Sequence, residues 1–454
     1  MSNNPRIMLA APKSGSGKTL ITCALLQNLL FKKMKPVSFK CGPDYIDPMF
    51  HQAVLGIHSK NLDTFFTGKK RTRQLLLEGM KDCDIAVLEG VMGLYDGLAG
   101  ISDKASSYDL ARVSQTPIIL VIDTRGMARS VIPLISGFLK YDKEHLIKGV
   151  ILNKMSGMMF QLVKKEIEKE LKINVVGYVP MMKDIHIESR HLGLLLPQEI
   201  EDLKEQLNQA ANVLDHTIDF ETLFAIASGA KPIKVEQEKP SNIKAENKVN
   251  IGIARDEAFC FYYEDNSKRL QEMGVECIPF SPIHDEKLPD GIQGILLGGG
   301  YPELYAKELS KNHKMRAVIK EAIEKGMPSI AECGGFMYLH ENLVTQDDKT
   351  YSMVGVIPGK CTYAGKLVRF GYSTLTVNKE SFLKCQSKIK AHEFHYFDSD
   401  DNGTDCIAVK PISNRSFSCV QAGVNYWWGF PHLYYDSNKE FVKRFAKSVR
   451  KYKG

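Results

Sequence analysis

One stretch near the start constrains the chain more than any other: Arg6-Ile-Met-Leu-Ala-Ala-Pro-Lys-Ser-Gly-Ser-Gly-Lys-Thr19. Ile7 to Ala11 are apolar and read as a short buried strand. Ser14-Gly15-Ser16-Gly17 read as a tight loop, and Ile21, Ala24, Leu25 and Leu29 then recur at helical spacing. A strand, a glycine loop, Gly-Lys-Thr and a helix form a cradle for a nucleoside triphosphate. Backbone amides of Ser14, Gly15, Ser16 and Gly17 curl around phosphate oxygens, and the helix start adds its positive dipole end. In that geometry Lys18 neutralises the β- and γ-phosphates and the Thr19 hydroxyl holds Mg²⁺. Pro12 stands where the commonest form of the loop has its first glycine, so φ is fixed at the start of the loop.

The 454 residues exceed what one core usually serves, so at least two domains are expected. Short apolar runs recur through the first half at Pro36–Phe39, Ile85–Leu88, Pro117–Ile122, Gly149–Leu152 and Val175–Val179, with helical segments between them. That alternation predicts an α/β domain with a parallel sheet covered on both faces. In such sheets ligands sit at the carboxyl ends of strands, which directs attention to the residues following each run.

After the second run come Asp44 and Asp47, in Lys40-Cys41-Gly42-Pro43-Asp44-Tyr45-Ile46-Asp47-Pro48. Phosphoryl transfer needs a carboxylate on Mg²⁺, but aspartates also form turns, and the two readings stand about level. After the third run comes Glu89-Gly90-Val91-Met92-Gly93-Leu94-Tyr95-Asp96-Gly97. Glu89 directly follows an apolar strand, the position of a metal-organising acid. The glycines there suit backbone close to a ligand. Asn153 follows the Gly149–Leu152 run, where an amide can read a purine base or simply cap a helix. Ser106 and Ser107 suit the start of a helix containing Asp109.

Residues 231–248 are polar, charged and broken by prolines, which predicts a linker between a first domain over 1–230 and a second over 249–454. The second domain opens with further strand-like runs at Val249–Ala254, Val275–Phe280 and Ile292–Leu297. Gly298-Gly299-Gly300 follows; consecutive glycines expose the amides of Gly299 and Gly300 as an oxyanion hole. Then comes Ala331-Glu332-Cys333-Gly334-Gly335, a cysteine at a strand-to-helix turn with glycines that permit a strained backbone. This is how a chain presents a thiol nucleophile, and the helix start is expected to lower the thiol pKa. A thiol nucleophile needs a base; His392, His395 and His432 are the candidates downstream, and spacing does not choose among them.

The 10 cysteines show no metal or disulfide spacing, which suits a reducing compartment. A net charge of +7 on dispersed lysines gives no nucleic-acid stripe and suits a polycarboxylate substrate. The first residues form no charged-then-apolar leader, and no apolar run approaches the length of a membrane span. A cytoplasmic protein with no membrane or nucleic-acid partner is expected.

Together the motifs resemble the cobyrinic acid a,c-diamide synthase family of glutamine-dependent amidoligases of cobalamin biosynthesis. The residues that carry the resemblance are Ala-Pro-x-Ser-Gly-Ser-Gly-Lys-Thr19, Phe39–Pro48, Glu89–Gly97, Arg190-His-Leu-Gly193, Gly298–Glu303, Ala331–Gly335 and His392-Glu-Phe-His-Tyr396. The resemblance implies a P-loop domain like dethiobiotin synthetase, followed by a class I glutamine amidotransferase-like α/β domain. It implies ATP, glutamine and cobyrinic acid as substrates, with Mg²⁺, and leaves a homodimer possible. Lys18 and Thr19 fall on its nucleotide and Mg²⁺ positions, with Asp44 and Glu89 on acidic positions near the metal. Asp47 and Asp96 fall on positions tied to substrate and a phosphorylated intermediate. Tyr45, Arg190 and His191 fall on substrate positions. Cys333 falls on the glutaminase nucleophile and His432 on its histidine. The motifs supply no acid as third member of the usual Cys-His-Glu triad. The implied reaction is ATP-dependent amidation of the a and c carboxylates through an acyl phosphate. Two separate sites imply a tunnel or closed space for ammonia.

Two rival readings stay open. A related amidoligase would act on nickel sirohydrochlorin or another corrinoid acid. A partitioning-type ATPase switch would use Lys13 to reach a partner's nucleotide, but has no need of Cys333 or of the second half.

Overall fold

The computed structural model describes residues 4–182, 185, 197–234 and 248–453. Arg190, His191 and most of the expected linker lie outside the described residues. The chain divides into two compact units, Met1–Gln237 and Glu238–Gly454.

The first unit alternates strands and helices from β1 (Arg6–Ala10) and α1 (Lys18–Phe31) through β2 (Pro36–Cys41), α2 (Ile46–Leu55) and β3 (Ser59–Leu62). It continues with α3 (Thr64–Gly79), β4 (Ile85–Glu89), α4 (Ser107–Ser114), β5 (Ile118–Asp123), β6 (Ile147–Asn153) and β7 (Asn174–Val179). These seven strands form one sheet in the order β3-β2-β4-β1-β5-β6-β7. Every pairing in it is parallel. Helices cover both faces, so β1, β2 and β4 are buried along their whole length. The order places β2 and β3 on one side of β1 and β5 to β7 on the other. The crevice at the carboxyl end of β1 is therefore the switch point, where ligands of such sheets bind.

Two differences from the sequence reading bear on the site. β2 runs on to Cys41, two residues past the expected end, which puts Lys40 inside a buried strand in register with Glu89. β3, Ser-Lys-Asn-Leu, was not foreseen, because an edge strand with one apolar residue carries no hydrophobic run. The four apolar positions expected to face the core from α1 are all buried, but so are Thr22, Cys23, Leu26 and Asn28. The helix Pro197–Thr217 covers the far side of α1, and Asn28 Nδ2 donates to Ala211 O at 3.0 Å. Ser106 caps α4, its Oγ accepting from the Asp109 amide at 3.1 Å.

In the second unit, β8 (Val249–Ala254), β9 (Phe259–Phe261), β10 (Val275–Phe280), β11 (Ile295–Leu297), β12 (Gly299–Gly300) and β13 (Ser329–Glu332) lead to a short helix, Gly334–Leu339. Its main sheet runs β10-β8-β11-β13, then Tyr426–Gly429, then Gln421–Ala422. The pairings through Tyr426–Gly429 are parallel and the last is antiparallel. A five-stranded antiparallel sheet joins Ser416–Cys419, Cys406–Val409, Arg369–Val377, Lys388–His395 and His432–Leu433. This second sheet carries all three candidate histidines.

Candidate functional site

The phosphate loop is assembled as its residues require. Gly15 and Gly17 adopt φ of +75° and +85°, a region that favours glycine. Gly17 caps α1, and a Cβ there would lie 2.4 Å from Asn153 Nδ2. Asn153 Nδ2 donates to Ser16 O at 2.8 Å, and Asn153 Oδ1 accepts from the Lys154 amide at 2.9 Å. Asn153 therefore pins the phosphate loop to the end of β6. Ser16 Oγ donates to Lys13 O at 2.9 Å, while Ser14, Gly15 and the Lys13 side chain are exposed. Lys18 is buried and its Nζ donates to Met92 O at 2.8 Å. Burial, with the nearby Lys40 charge, lowers its pKa to about 8.

The loop after β4 is docked on the start of the phosphate loop. Leu94 N donates to Ala11 O at 2.8 Å. Asp96 Oδ2 accepts from the Gly93 amide at 3.0 Å. A Cβ on Gly93 would lie 2.6 Å from Pro12 O, so this approach needs glycine.

Behind the loop lies a buried charged cluster that includes a residue the sequence reading did not single out. Thr19 Oγ1 donates to Glu89 Oε1 at 2.7 Å, and Lys40 Nζ donates to the same oxygen at 2.8 Å. Lys40 also bonds the Asp47 carboxylate, and the Asp47 and Glu89 carboxyls contact each other. Glu89 and His51 are fully buried, and Lys40 and Asp47 nearly so. Burial pushes Glu89 up to about 7, against the pull of Lys40. His51 Nδ1 lies 3.0 Å from Ser38 Oγ and 3.1 Å from Ser59 Oγ, and its Nε2 lies 3.9 Å from Glu89 Oε2. Burial lowers His51 to about 4, so it is neutral.

The two aspartates of the expected set meet this cluster differently. Asp44 turns to the start of α2, where its Oδ1 accepts from the Ile46 amide at 2.8 Å and the Asp47 amide at 3.4 Å. Asp47, on the first turn of α2, is the aspartate that reaches Glu89. The residues present fit Mg²⁺: a hydroxyl and two carboxylates are the hard oxygen donors it prefers. Moreover, Glu89 Oε2 is buried with no hydrogen-bond partner. Tyr45 stands at the N-cap of α2, beside this cluster in sequence.

The second unit builds a sharp strand-to-helix elbow at Cys333. Cys333 joins β13 to the helix Gly334–Leu339 with φ +48° and ψ −103°, a strained backbone for a side-chain-bearing residue. Its amide donates to Gly429 O at 2.9 Å, and the Gly335 amide donates to Gly298 O at 2.9 Å. The flanking glycines are required by close approach. A Cβ on Gly335 would lie 2.2 Å from Leu297 O, and one on Gly334 would lie 3.1 Å from Gly300 N. The Gly300 amide thus stands at the elbow.

The three histidines sit in different surroundings. A Cβ on Gly299 would lie 2.3 Å from His432 Cε1, so the imidazole rests on bare glycine backbone. His395 stacks on Phe430 at 3.9 Å and its Nδ1 lies 2.7 Å from Phe397 O. His392 sits among aromatic rings, Tyr372 at 5.7 Å and Phe370 at 6.1 Å, and is the cross-strand neighbour of His432. Burial, with the nearby His392 and His395, lowers His432 to about 3, so its ring is neutral.

The expectation of a lowered thiol pKa does not hold. Burial first, and then the charges of Glu303, Glu393 and Glu332, push Cys333 up. A six-residue helix gives too small a dipole to offset them. The thiol therefore stays protonated until a base takes its proton.

Among the described residues no helix is long and apolar enough to cross a membrane. Residues 7–195 match the family model described as the CobQ/CobB/MinD/ParA nucleotide binding domain, and residues 250–437 match the CobB/CobQ-like glutamine amidotransferase domain. A cobyrinate a,c-diamide synthase from Caldanaerobacter subterraneus subsp. tengcongensis is 40% identical over 442 residues, 96% of this chain and 97% of that protein. One from Clostridium tetani is 40% identical over 443 residues, 96% of this chain and 98% of that protein. One from Priestia megaterium is 35% identical over 453 residues, 99% of this chain and 98% of that protein. With two motif-bearing units of the matching kinds and relatives that align along nearly all of it, the chain belongs to the cobyrinate a,c-diamide synthase family of glutamine-hydrolysing, ATP-dependent amidoligases.

Proposed function

We propose that the protein amidates the a and c carboxylates of cobyrinic acid, with glutamine as nitrogen donor and ATP as activator. The observation that carries the reading is one chain holding both a phosphate loop over a buried Lys40–Asp47–Glu89 cluster and a strained thiol with its own histidine. The names of the relatives support the choice of substrate.

A carboxylate is a poor acyl donor because its oxide leaves badly. In the first unit, Lys18 and the amides of Ser14 to Thr19 hold the triphosphate, and the substrate carboxylate attacks the γ-phosphorus. ADP leaves and an acyl phosphate remains. The residues that would hold Mg²⁺ are Thr19, Asp47 and Glu89, and the ion would neutralise charge on the transferring phosphoryl group. Lys40 bonds both carboxyls and holds them together. Asp96 orders the loop that receives Lys18, and Asn153 sets the phosphate loop itself. Tyr45, Arg190 and His191 are assigned to the corrinoid acid.

In the second unit, His432 takes the proton of Cys333 as sulfur attacks the carboxamide carbon of glutamine. The Gly299 and Gly300 amides hold the oxyanion. His432 returns the proton to the departing nitrogen, ammonia leaves, and water cleaves the thioester to glutamate. Ammonia then attacks the acyl phosphate, phosphate departs, and the amide is formed.

Replacing Cys333 with Ala tests the pairing. Amidation with glutamine is lost, while amidation with an ammonium salt continues, because the phosphate-loop unit is untouched. Substrate mass gain with each nitrogen source is the measurement. Loss of both activities would overturn the assignment of ammonia release to Cys333.

A further inference from the structure

The glutaminase histidine needs a group that fixes its ring and steadies the imidazolium formed when Cys333 gives up its proton. Three carboxylates exert their charge on Cys333, those of Glu303, Glu393 and Glu332. Strand alternation removes Glu393. His392 is the cross-strand neighbour of His432 and shares its face of the antiparallel sheet, so Glu393, the next residue, points to the other face. There it lies 3.7 Å from His395 Nε2 and 3.6 Å from Lys410 Nζ. Glu303 follows Pro302, whose ring lies against Gly334, on the thiol side of the site.

Glu332 differs from both. It ends β13, directly before Cys333, and is almost wholly buried. Its Oε2 lies 4.0 Å from His432 Nδ1. Its Oε1 accepts from the Leu433 amide at 3.3 Å, and the Tyr435 hydroxyl bonds the same carboxyl. Both donors belong to the chain immediately after His432. Glu332 thus grips the segment that carries the histidine while facing the ring itself. No lysine or arginine pairs with it among the described residues, so its charge is not committed to a structural ion pair.

We propose that Glu332 is the positioning residue of the glutaminase site, the acid that orients His432 through Nδ1 and leaves Nε2 to take the thiol proton. It stands next to the nucleophile in sequence, a place where the usual order of the triad does not look for it. The 4.0 Å separation is an ion-pair distance. Catalytic hydrogen bonds are commonly long without substrate and tighten in the complex. This assignment rests on Cys333 and His432 forming the glutaminase centre.

The pH dependence separates this role from a purely structural one. Burial pushes Glu332 up to about 8, against the bonds from Leu433 and Tyr435. The titratable groups that face it are His432 and Tyr435 from the following strand and turn, and Cys333 from its own segment. Above that pH a carboxylate faces His432 and stabilises the imidazolium. Glutamine hydrolysis therefore rises as pH passes through about 8.

The test compares Glu332→Gln, Glu332→Asp and Cys333→Ala with the parent chain, reading glutamate release against glutamine concentration and pH. Glu332→Gln keeps the shape without the ionisation. Its kcat falls about 100-fold, its KM for glutamine changes little, and the rise through about pH 8 disappears. Glu332→Asp restores the rise with an intermediate kcat. A Gln variant with the parent's kcat, or with the parent's pH profile, overturns the assignment of Glu332. Glutamate release by Cys333→Ala overturns instead the thiol reading on which it rests.

Discussion

Lys18 has a buried ammonium that donates to Met92 O, and its pKa is lowered to about 8. Burial sets that value, and Lys40 adds to it. A bound triphosphate brings negative charge to the same place and favours the charged form, so nucleotide binding takes up a proton near and above pH 8. Affinity for ATP accordingly falls about tenfold per pH unit once pH exceeds about 8, until the bound-state pKa is reached. Calorimetric titration in buffers of different ionisation heat measures both the proton uptake and the affinity. A pH-independent affinity from neutrality to well above 8 would remove Lys18 from the phosphates. Lys18 was legible in the sequence because its neighbours form a local pattern. Lys40 was not, because its partners Asp47 and Glu89 become visible only when β2 is extended past Phe39 and set in register with β4.

At the level of elements, the strand-to-helix turn at Cys333 was read from the two glycines that follow it, and the structure supplies the reason they are there. Gly335 allows the helix to sit on Leu297 O, and Gly334 allows it to approach Gly300. The cysteine just before them carries the strain, at φ +48°. Glycine adopts that backbone more readily than alanine does. Cys333→Gly is therefore more stable than Cys333→Ala by about 1–2 kcal/mol, although both lack the thiol. Denaturant unfolding of the two variants checks this; equal stability would mean that the turn relaxes without cost. The antiparallel sheet beside the elbow was not legible. Lys388–His395 alternates between faces, and read alone it was a polar patch. Only pairing with His432–Leu433 shows that His392 belongs to the face of His432 while Glu393 and His395 belong to the other. Non-local pairing of this kind leaves little local signal.

For the whole molecule, the two units have separate hydrophobic cores, and each carries one half of the chemistry on its own scaffold. The parallel sheet of the first unit was readable because strands buried on both faces are unbroken apolar runs. Division of labour makes the effects of mutation asymmetric. Removing the thiol spares ammonium-driven amidation, whereas disturbing the phosphoryl centre spares neither nitrogen source. Glu89 is the residue to use, because it is fully buried and joins Thr19, Lys40 and Asp47. Glu89→Gln preserves an oxygen for Thr19 and Lys40 but removes the charge that a phosphoryl centre requires. Amidation with glutamine and with ammonium salts falls together, by about 10³-fold, as expected when an electrostatic contributor to the transition state is lost. The two rates, measured side by side at saturating ATP, decide the matter. If ammonium-driven amidation survives in full, Glu89 does not serve phosphoryl transfer, and the buried cluster with Lys40 is a structural ion-pair network.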